Sequence, residues 1–209
     1  KKVGYILKKK RICELRRIIL AGVSKKKKEI LHNLAVDFEV ITADTDETCS
    51  ENDPGKYSEL LAVRKGRAVS DLVNDKDALI ISADTVVYID GEILGKPTDE
   101  ADAERILREF SGRTHTVATG LSLIKGDKAV SDFEETDVNF AKMPNEFIKQ
   151  YISSGEPMDK AGAYGIQGRA SLWIDGINGD YFNVVGFPVR LFCNLLLKLG
   201  IDPMSVCGI

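Results

Sequence analysis

The stretch ALIISADTVVYIDGEILGKP, residues 78–97, says most about the fold. An apolar strand reaches Asp84, resumes as VVYI and turns at Asp90-Gly91, a dipeptide typical of two-residue β-hairpins. A carboxylate inside an apolar strand is costly to bury unless it is paired or binds a cation. Asp84 is therefore a candidate metal ligand or general base, although a carboxylate satisfied only by loop amides explains the residue equally well on its own.

Outward from this hairpin, strand and helix patterns alternate along the chain. RRIILAG (16–22) is an apolar, β-branched strand that ends at Gly22, and FEVIT (38–42) is a second strand. Further strands are predicted at 115–124 and 134–143, and helices after the N-cap Ser24, at 58–73, from the cap Thr98 to 112, after Pro144 and at 188–199. This order predicts one α/β domain with a mixed sheet and no internal repeat.

Composition is that of an ordinary globular protein. The 209 residues are 44% hydrophobic and 29% charged, and no apolar run approaches the ~20 residues of a membrane span. The four cysteines are scattered without a C-x-x-C pair, which argues against a zinc site and a disulfide framework; they are Cys13, Cys49, Cys193 and Cys207. We therefore expect reduced thiols, a cytoplasmic location and no membrane partner.

Charge is unevenly distributed along the chain. Residues 1–28 contain twelve Lys or Arg and the single acid Glu14, whereas the remainder contains seventeen basic and thirty-one acidic residues. Such asymmetry is typical either of an arm that binds nucleic acid or anionic membranes, or of a solubilising tail. We interpret residues 1–15 as a basic N-terminal extension, with the tail as the favoured reading, and residues 16–209 as the single α/β domain.

A second group of carboxylates follows another predicted strand. TADTDE (42–47) places Asp44, Asp46 and Glu47 directly after FEVIT. In an open α/β sheet the strand ends converge on one crevice, so these side chains are expected near Asp84. Two carboxylates meeting there would suit Mg²⁺, which prefers hard oxygen ligands and keeps waters that substrate phosphates can displace.

Two glycine-rich stretches resemble nucleotide-binding loops without matching them. GEILGKP (91–97) has three residues between its glycines and Pro97 after the lysine, so it is not a P-loop, although Lys96 could still contact a phosphate. GAYGIQG (162–168) lacks the dinucleotide-binding spacing, but Gln167 could read a base edge. Taken alone, this second stretch is read as a tight structural loop.

The run SKKKK (24–28) places four lysines at a strand-to-helix turn. A serine-capped helix N-terminus already favours phosphate, and lysines in its first turn strengthen that field while opposing the helix dipole. Such a local conflict is typical of a binding site. The alternative is a solvated charge run with no ligand.

Taken together, the motifs resemble the Maf family of nucleoside triphosphate pyrophosphatases. The matches run in order from about residue 16 to 200: RRIILAGVSKKKKEIL, ITADTDE, LAVRKGRAVS, SADTVVYIDGEILGKP, FSGRTHTVATGLSL, ETDVNF, SGEPMDKAGAYGIQG and NGDYFNVVGFP. The resemblance implies an elongated twisted mixed sheet flanked by helices, with two lobes around a central nucleotide cleft. It also implies a homodimer and a hydrolase that converts dTTP or UTP, with Mg²⁺ or Mn²⁺, to the monophosphate and pyrophosphate. Modified pyrimidine nucleotides are included among the expected substrates.

The resemblance also implies roles for single residues. Asp84 would accept the proton of the attacking water, and Glu47 would bind the metal with it. Lys65 and Lys96 would hold phosphates and neutralise the charge on leaving pyrophosphate. The implied substrate-binding residues are Ser24, Lys26, Lys27, Thr85, Lys160 and Gln167.

The chain departs from the family at the opening turn. The family usually reads S-x-S-P-R-R there, whereas residues 22–27 read GVSKKK, so Lys26 and Lys27 replace two arginines. Lysine lacks the planar two-pronged donor set of arginine, so we expect weaker activity or selectivity than the family norm. The main alternative function is a protein of the same fold that binds nucleotide or nucleic acid with weak or no hydrolysis.

Overall fold

A computed structural model describes residues 17–208. The predicted extension 1–15 lies outside the described residues. The strands are β1 Ile18–Ala21, β2 Glu39–Ile41, β3 Leu79–Ile89, β4 Glu92–Leu94, β5 Thr114–Lys125, β6 Lys128–Phe140 and β7 Ile174–Asn178. The helices are α1 Lys25–Asn33, α2 Pro54–Val73, α3 Glu100–Phe110, α4 Asn145–Ser153, α5 Tyr181–Val185, α6 Val189–Lys198 and α7 Pro203–Val206. Short 3₁₀ turns cover Glu156–Asp159, Ala161–Ala163 and Arg169–Trp173.

The strands form one mixed sheet, as predicted. Its order is β2-β1-β3-β5-β6-β7, with β4 paired to the distal half of β3. β1 runs parallel to β2 and β3, and the other pairs are antiparallel. The long β3 pairs with β5 along most of its length, which places Asp84 opposite Gly120 and Thr85 opposite Thr119 in the middle of the sheet.

The strand and hairpin around Asp84 follow the prediction. β3 continues without a break through Asp84, and the chain then turns at Asp90 and Gly91, whose φ angles are 50° and 91°. Positive φ at both central residues is the geometry of a type I′ hairpin, whose twist matches that of the flanking strands.

The hydrophobic core divides on either side of Asp84. The proximal half of β3 packs with α1 and α6 in one cluster that includes Leu31, Ile81 and Leu195. The distal half packs with α3 and α4 in a second cluster that includes Val87 and Phe110. This division agrees with the expected two lobes, and Asp84 lies in the strand that joins them.

The long helix α2 crosses the sheet at close range. A Cβ on Gly120 would collide with the backbone of Ser58 and Glu59, so only glycine in β5 allows this approach. Gly66 likewise lies against the Ser82 side chain. This close contact places Lys65, the residue before Gly66 in α2, over the centre of β3.

Two predicted helix starts differ from the structure, and a third agrees in position but lacks its capping bond. α2 begins at Pro54 rather than near residue 58, because the Asp53 carboxylate accepts a hydrogen bond from Lys56 N at 2.9 Å and Pro54 fits the first helical position. Asp99, not Thr98, caps α3 by accepting from Asp102 N at 2.8 Å. Ser24 occupies the N-cap position of α1 without a side-chain capping bond.

None of the helices within residues 17–208 is long and apolar enough to cross a membrane.

Candidate active site

Lys65 joins two carboxylates at the centre of the sheet. Its Nζ donates to Asp84 Oδ1 at 2.5 Å and lies 2.9 Å from Glu47 Oε1. Asp84 comes from β3 and is only 14% exposed, whereas Glu47 comes from the loop after β2 and is 62% exposed. Burial lowers the pKa of Lys65, but the charges and hydrogen bonds of Asp84 and Glu47 outweigh it and raise the pKa above its ordinary value. The lysine is therefore a fixed cation that brings the two acids together.

The loop that carries Glu47 is held by the residue preceding Lys65. Arg64 Nη1 donates to the carbonyl oxygens of Asp46 at 3.2 Å and Thr48 at 2.5 Å, which flank Glu47. The Asp46 carboxylate also accepts from Thr48 N at 2.8 Å. One turn of α2 thus holds both the backbone and the side chain of Glu47. Arg64 was not predicted as a site residue, and its only sequence signal is its place beside Lys65.

Lys27 enters the same cluster from the start of α1. Its Nζ donates to the carbonyl oxygen of Ala83 at 2.7 Å, beside Asp84. Burial lowers the pKa of Lys27 to about 8; the charge of Asp84 opposes this shift, and the charges of Lys65 and Lys96 add to it. Two ammonium groups, those of Lys65 and Lys27, therefore lie beside Asp84, and the protein keeps Lys27 charged only at an energetic cost.

The other predicted residues of the opening turn do not reach this cluster. Lys26 Nζ pairs with Glu29 Oε2 at 2.9 Å on the exposed side of α1, and its side chain is 46% exposed. Ser24 is exposed as well. The structure thus brings Lys27, and not Lys26 or Ser24, to the carboxylates.

A line of hydroxyl groups continues from Asp84 toward α5. Thr85 Oγ1 lies 3.0 Å from Thr119 Oγ1, and Thr119 donates to the carbonyl oxygen of Asn183 at 3.1 Å. A Cβ on Gly186, at the end of α5, would lie 3.3 Å from Thr85 Oγ1 and 3.9 Å from Lys27 Cε. The backbone after α5 therefore forms a wall beside Thr85 and Lys27. Thr119 and Asn183 were not predicted. Asn183 lies between apolar residues in α5, which is a signal, whereas Thr119 is one of several polar residues in β5.

The remaining predicted residues lie on two linked turns. Lys96 is exposed, and the preceding Gly95 accepts a hydrogen bond from Gly162 N at 2.9 Å, which ties this turn to the glycine-rich loop. In that loop, Lys160 Nζ donates to Glu156 O and Asp159 Oδ1, both at 2.6 Å. Gln167 is exposed and makes no hydrogen bond to any residue that the structure describes. Its amide is thus free for a ligand.

Asp84 and Glu47 are the carboxylates of the site that could bind a divalent cation. No group of three or more His, Cys, Asp or Glu side chains with metal-binding geometry occurs in the described part of the chain. The pair Asp84 and Glu47, held on one ammonium, supplies two carboxylates. That number fits Mg²⁺ or Mn²⁺, since Mg²⁺ commonly uses one or two protein carboxylates and completes its shell with waters and substrate phosphates.

The fold and the site together define a class of protein. It is an α/β protein in which a carboxylate pair and two lysines, Lys65 and Lys27, converge between two lobes, an arrangement suited to a phosphorylated ligand. The family model described as "Maf-like protein" matches residues 17–199, and the chain belongs to that family. The resemblance predicted from the sequence is confirmed.

Relatives from three organisms carry the same name, dTTP/UTP pyrophosphatase. That of Symbiobacterium thermophilum is 46% identical over 89% of this chain and 95% of its own length. That of Thermococcus onnurineus is 46% identical over 85% of this chain and 95% of its own length. That of Agathobacter rectalis is 44% identical over 88% of this chain and 98% of its own length. Among solved structures, the Staphylococcus aureus Ham1 protein aligns with a TM-score of 0.49 and 17% identity, over 88% of this chain and 97% of that chain.

Proposed function

We propose that this protein hydrolyses dTTP and UTP between the α and β phosphates, releasing the nucleoside monophosphate and pyrophosphate. Membership of the Maf-like family and the names of the relatives support the reaction class. The structural observation that carries the proposal is the cluster of Asp84, Glu47 and Lys65, with Lys27 beside it. It combines a proton acceptor, a carboxylate pair and the cations that a triphosphate requires.

Asp84 is proposed as the proton acceptor for the attacking water. Its carboxylate is partly buried and one of its oxygens is bound by Lys65, which fixes its orientation and leaves the second oxygen for a proton. As water adds to the α–β anhydride, Asp84 takes its proton and the bridging P–O bond breaks. Lys65, Lys27 and Lys96 neutralise the charge that collects on the departing pyrophosphate.

Asp84 and Glu47 are also the residues proposed to hold a divalent cation. When bound, Mg²⁺ or Mn²⁺ would neutralise phosphate charge and orient the substrate. The chain's own contribution is to hold both carboxylates close together, through Lys65 on their side chains and Arg64 on the loop backbone.

Gln167 is the residue proposed to choose the base. A primary amide has one acceptor and two donors, so it can pair with the N3–H and O4 of a uracil or thymine edge. Thr85 and Lys160 are proposed to contact the substrate on the two walls of the cleft. Lys26 and Ser24 remain predictions that the geometry does not favour, because both side chains point to the exposed surface.

Pyrophosphate release from a panel of nucleotides, including methylated pyrimidine triphosphates, tests the proposal. We expect turnover of dTTP and UTP with Mg²⁺ or Mn²⁺, and slower turnover of ATP and GTP. The Asp84→Asn variant is the control for contaminating hydrolases. Salt-sensitive DNA binding without turnover would instead identify the alternative, a nucleic-acid-binding member of the same fold. The homodimer implied by the resemblance stays a prediction, which sedimentation velocity tests.

A further inference from the structure

The Gln167 turn rests on a hydrogen-bonded base formed by Tyr151 and Glu156. Gly168 N donates to Gly165 O at 2.9 Å, so Ile166 and Gln167 occupy the two corners of a β-turn. The Gly165 end of this turn donates its N–H to the Tyr151 hydroxyl at 3.4 Å. At the other end, Arg169 N donates to Glu156 Oε1 at 3.2 Å.

Tyr151 and Glu156 are linked to each other, which makes the support continuous. The Tyr151 hydroxyl donates to Glu156 Oε1 at 3.1 Å, so one carboxylate oxygen receives both this bond and that of Arg169 N. Tyr151 is 1% exposed in α4, and its ring stacks on Phe147 with 5.6 Å between ring centroids. Burial of the hydroxyl and the nearby charge of Glu156 raise the pKa of Tyr151 above its ordinary value, which keeps the hydroxyl a donor.

The backbone is adapted to this carboxylate. A Cβ on Gly168 would collide with Glu156 Oε1, so any other residue there would push the carboxylate away from the turn. Lys160 donates to the carbonyl oxygen of the same Glu156 at 2.6 Å, which couples the second proposed substrate contact to the support. By contrast, the Gln167 amide itself has no partner among the described residues. Hydrogen bonds thus hold both ends of the turn, while the Gln167 side chain at its corner remains available to a ligand.

We propose that Tyr151 and Glu156 are positioning residues that set base selectivity by fixing the Gln167 turn. This inference rests on the proposed function, because it assigns them the selectivity of that reaction. An amide discriminates between base edges only if its donor and acceptor are held in place before the base arrives, since a mobile amide adjusts to any edge. The hydrogen bonds of the pair go to the turn and not to Asp84 or Lys65, so its loss should change the choice of base more than the rate of chemistry.

The test compares kcat/KM for UTP and GTP in four variants. Glu156→Ala removes the shared acceptor, and Tyr151→Phe removes the hydroxyl that joins the two ends. Glu156→Gln keeps an oxygen in place of Oε1 and is the conservative rescue. Glu146→Ala, an exposed glutamate in the first turn of the same α4, is the matched control.

We expect the UTP-to-GTP ratio to fall about tenfold in Glu156→Ala and Tyr151→Phe, mainly through a higher KM for UTP. The ratio should stay near the wild-type value in Glu156→Gln and Glu146→Ala. Hydrogen exchange of the peptide covering residues 163–170 should become faster in the first two variants. This second measurement does not depend on activity and is read on folded protein only.

The outcomes distinguish failure of the positioning role from failure of the proposed hydrolysis. If the wild-type protein releases no pyrophosphate, or acts equally on UTP and GTP, the proposed function or its base selectivity fails. If the wild type prefers UTP while Tyr151→Phe and Glu156→Ala keep both the ratio and the slow exchange, the positioning role is overturned. Should Glu156→Ala fail to fold, Tyr151→Phe decides by the same two measurements.

Discussion

Replacing Lys27 by methionine should make the protein more stable and less active at the same time. Methionine keeps the length of the side chain and removes the charge. Burial is the largest cause that brings the pKa of Lys27 from 10.5 to about 8. Because a tenfold change in a protonation equilibrium corresponds to ~1.4 kcal/mol, holding this ammonium charged costs the folded state about 3 kcal/mol.

The net gain in stability is smaller than that cost. Lys27→Met also removes the donor of the 2.7 Å hydrogen bond to Ala83 O, and an unsatisfied carbonyl costs about 1 kcal/mol. We therefore expect the free energy of unfolding to rise by about 2 kcal/mol at pH 7, measured by urea denaturation without nucleotide or metal. In the same variant kcat/KM for dTTP should fall at least ~100-fold, as expected when a cation facing a phosphate is lost.

Lys26→Met is the matched control for this experiment. Lys26 is the neighbouring residue, but its ammonium lies at the surface in a pair with Glu29, and such pairs contribute about 0–1 kcal/mol. Stability and activity should both change little.

A dependence on pH gives a second check of the stability effect. The folded pKa of Lys27 is lower than the unfolded one, so the destabilisation is complete below about pH 8 and disappears as the pH approaches 10.5. The gap between Lys27→Met and wild type should close over this range. If Lys27→Met is no more stable than Lys26→Met at pH 7, or keeps wild-type activity, Lys27 is not a strained cation facing the ligand.

Further predictions concern the remaining groups of the cluster. Wild-type kcat/KM should decline above about pH 8, because Lys27 in the free protein loses its proton there. The kcat/KM of Lys27→Arg should stay level to pH 10. If both proteins show the same decline, a group other than Lys27 causes it. Asp84→Asn should fold normally and lose at least ~100-fold in kcat; retention of a tenth of the rate would rule out Asp84 as the base. Arg64→Ala should lower kcat/KM and raise the Mg²⁺ concentration needed for half-maximal rate, while Arg67→Ala, an exposed change one position beyond Gly66 in α2, should do neither. If the Mg²⁺ dependence of Arg64→Ala is unchanged, the loop that carries Glu47 does not need Arg64 to keep its conformation.

The fold was predictable where the local sequence alone determines a strand or a turn. The apolar runs of β1 and β3 and the Asp90-Gly91 turn depend on local chemistry, and each was placed within a residue or two. The start of α2 was misplaced because Pro54-Gly55 also reads as a helix breaker. Only the capping bond from Asp53 shows that Pro54 is the first helical residue.

The choice between Lys26 and Lys27 was within reach of the sequence. Lys27 precedes both buried residues of α1, Ile30 and Leu31, by three and four residues, so it lies along their shared face. Lys26 precedes Ile30 by four residues and the exposed Glu29 by three, so it lies at the edge of that face. Motif matching assigned both lysines to the phosphate, and helical periodicity would have separated them.

The positioning groups could not be predicted in the same way. Arg64 acts on carbonyl groups sixteen and eighteen residues away, and Tyr151 and Glu156 act on a turn whose distance is fixed only when α4 packs. Backbone donors and acceptors leave no mark on side-chain identity, so no residue pattern in the sequence identifies these contacts.

The lysine that stands at residue 27 in place of arginine lowers the cost of burying a cation when no ligand is bound. A guanidinium stays charged whatever its surroundings, whereas an ammonium can release its proton when it is buried beside Lys65 and Lys96. A triphosphate that enters the cleft supplies negative charge and favours the charged form again. Ligand binding above about pH 8 should therefore take up a proton at this site, which makes affinity decline with pH there. We therefore expect the substitution to weaken phosphate binding under alkaline conditions and to lower the cost of burying a cation in the unliganded protein.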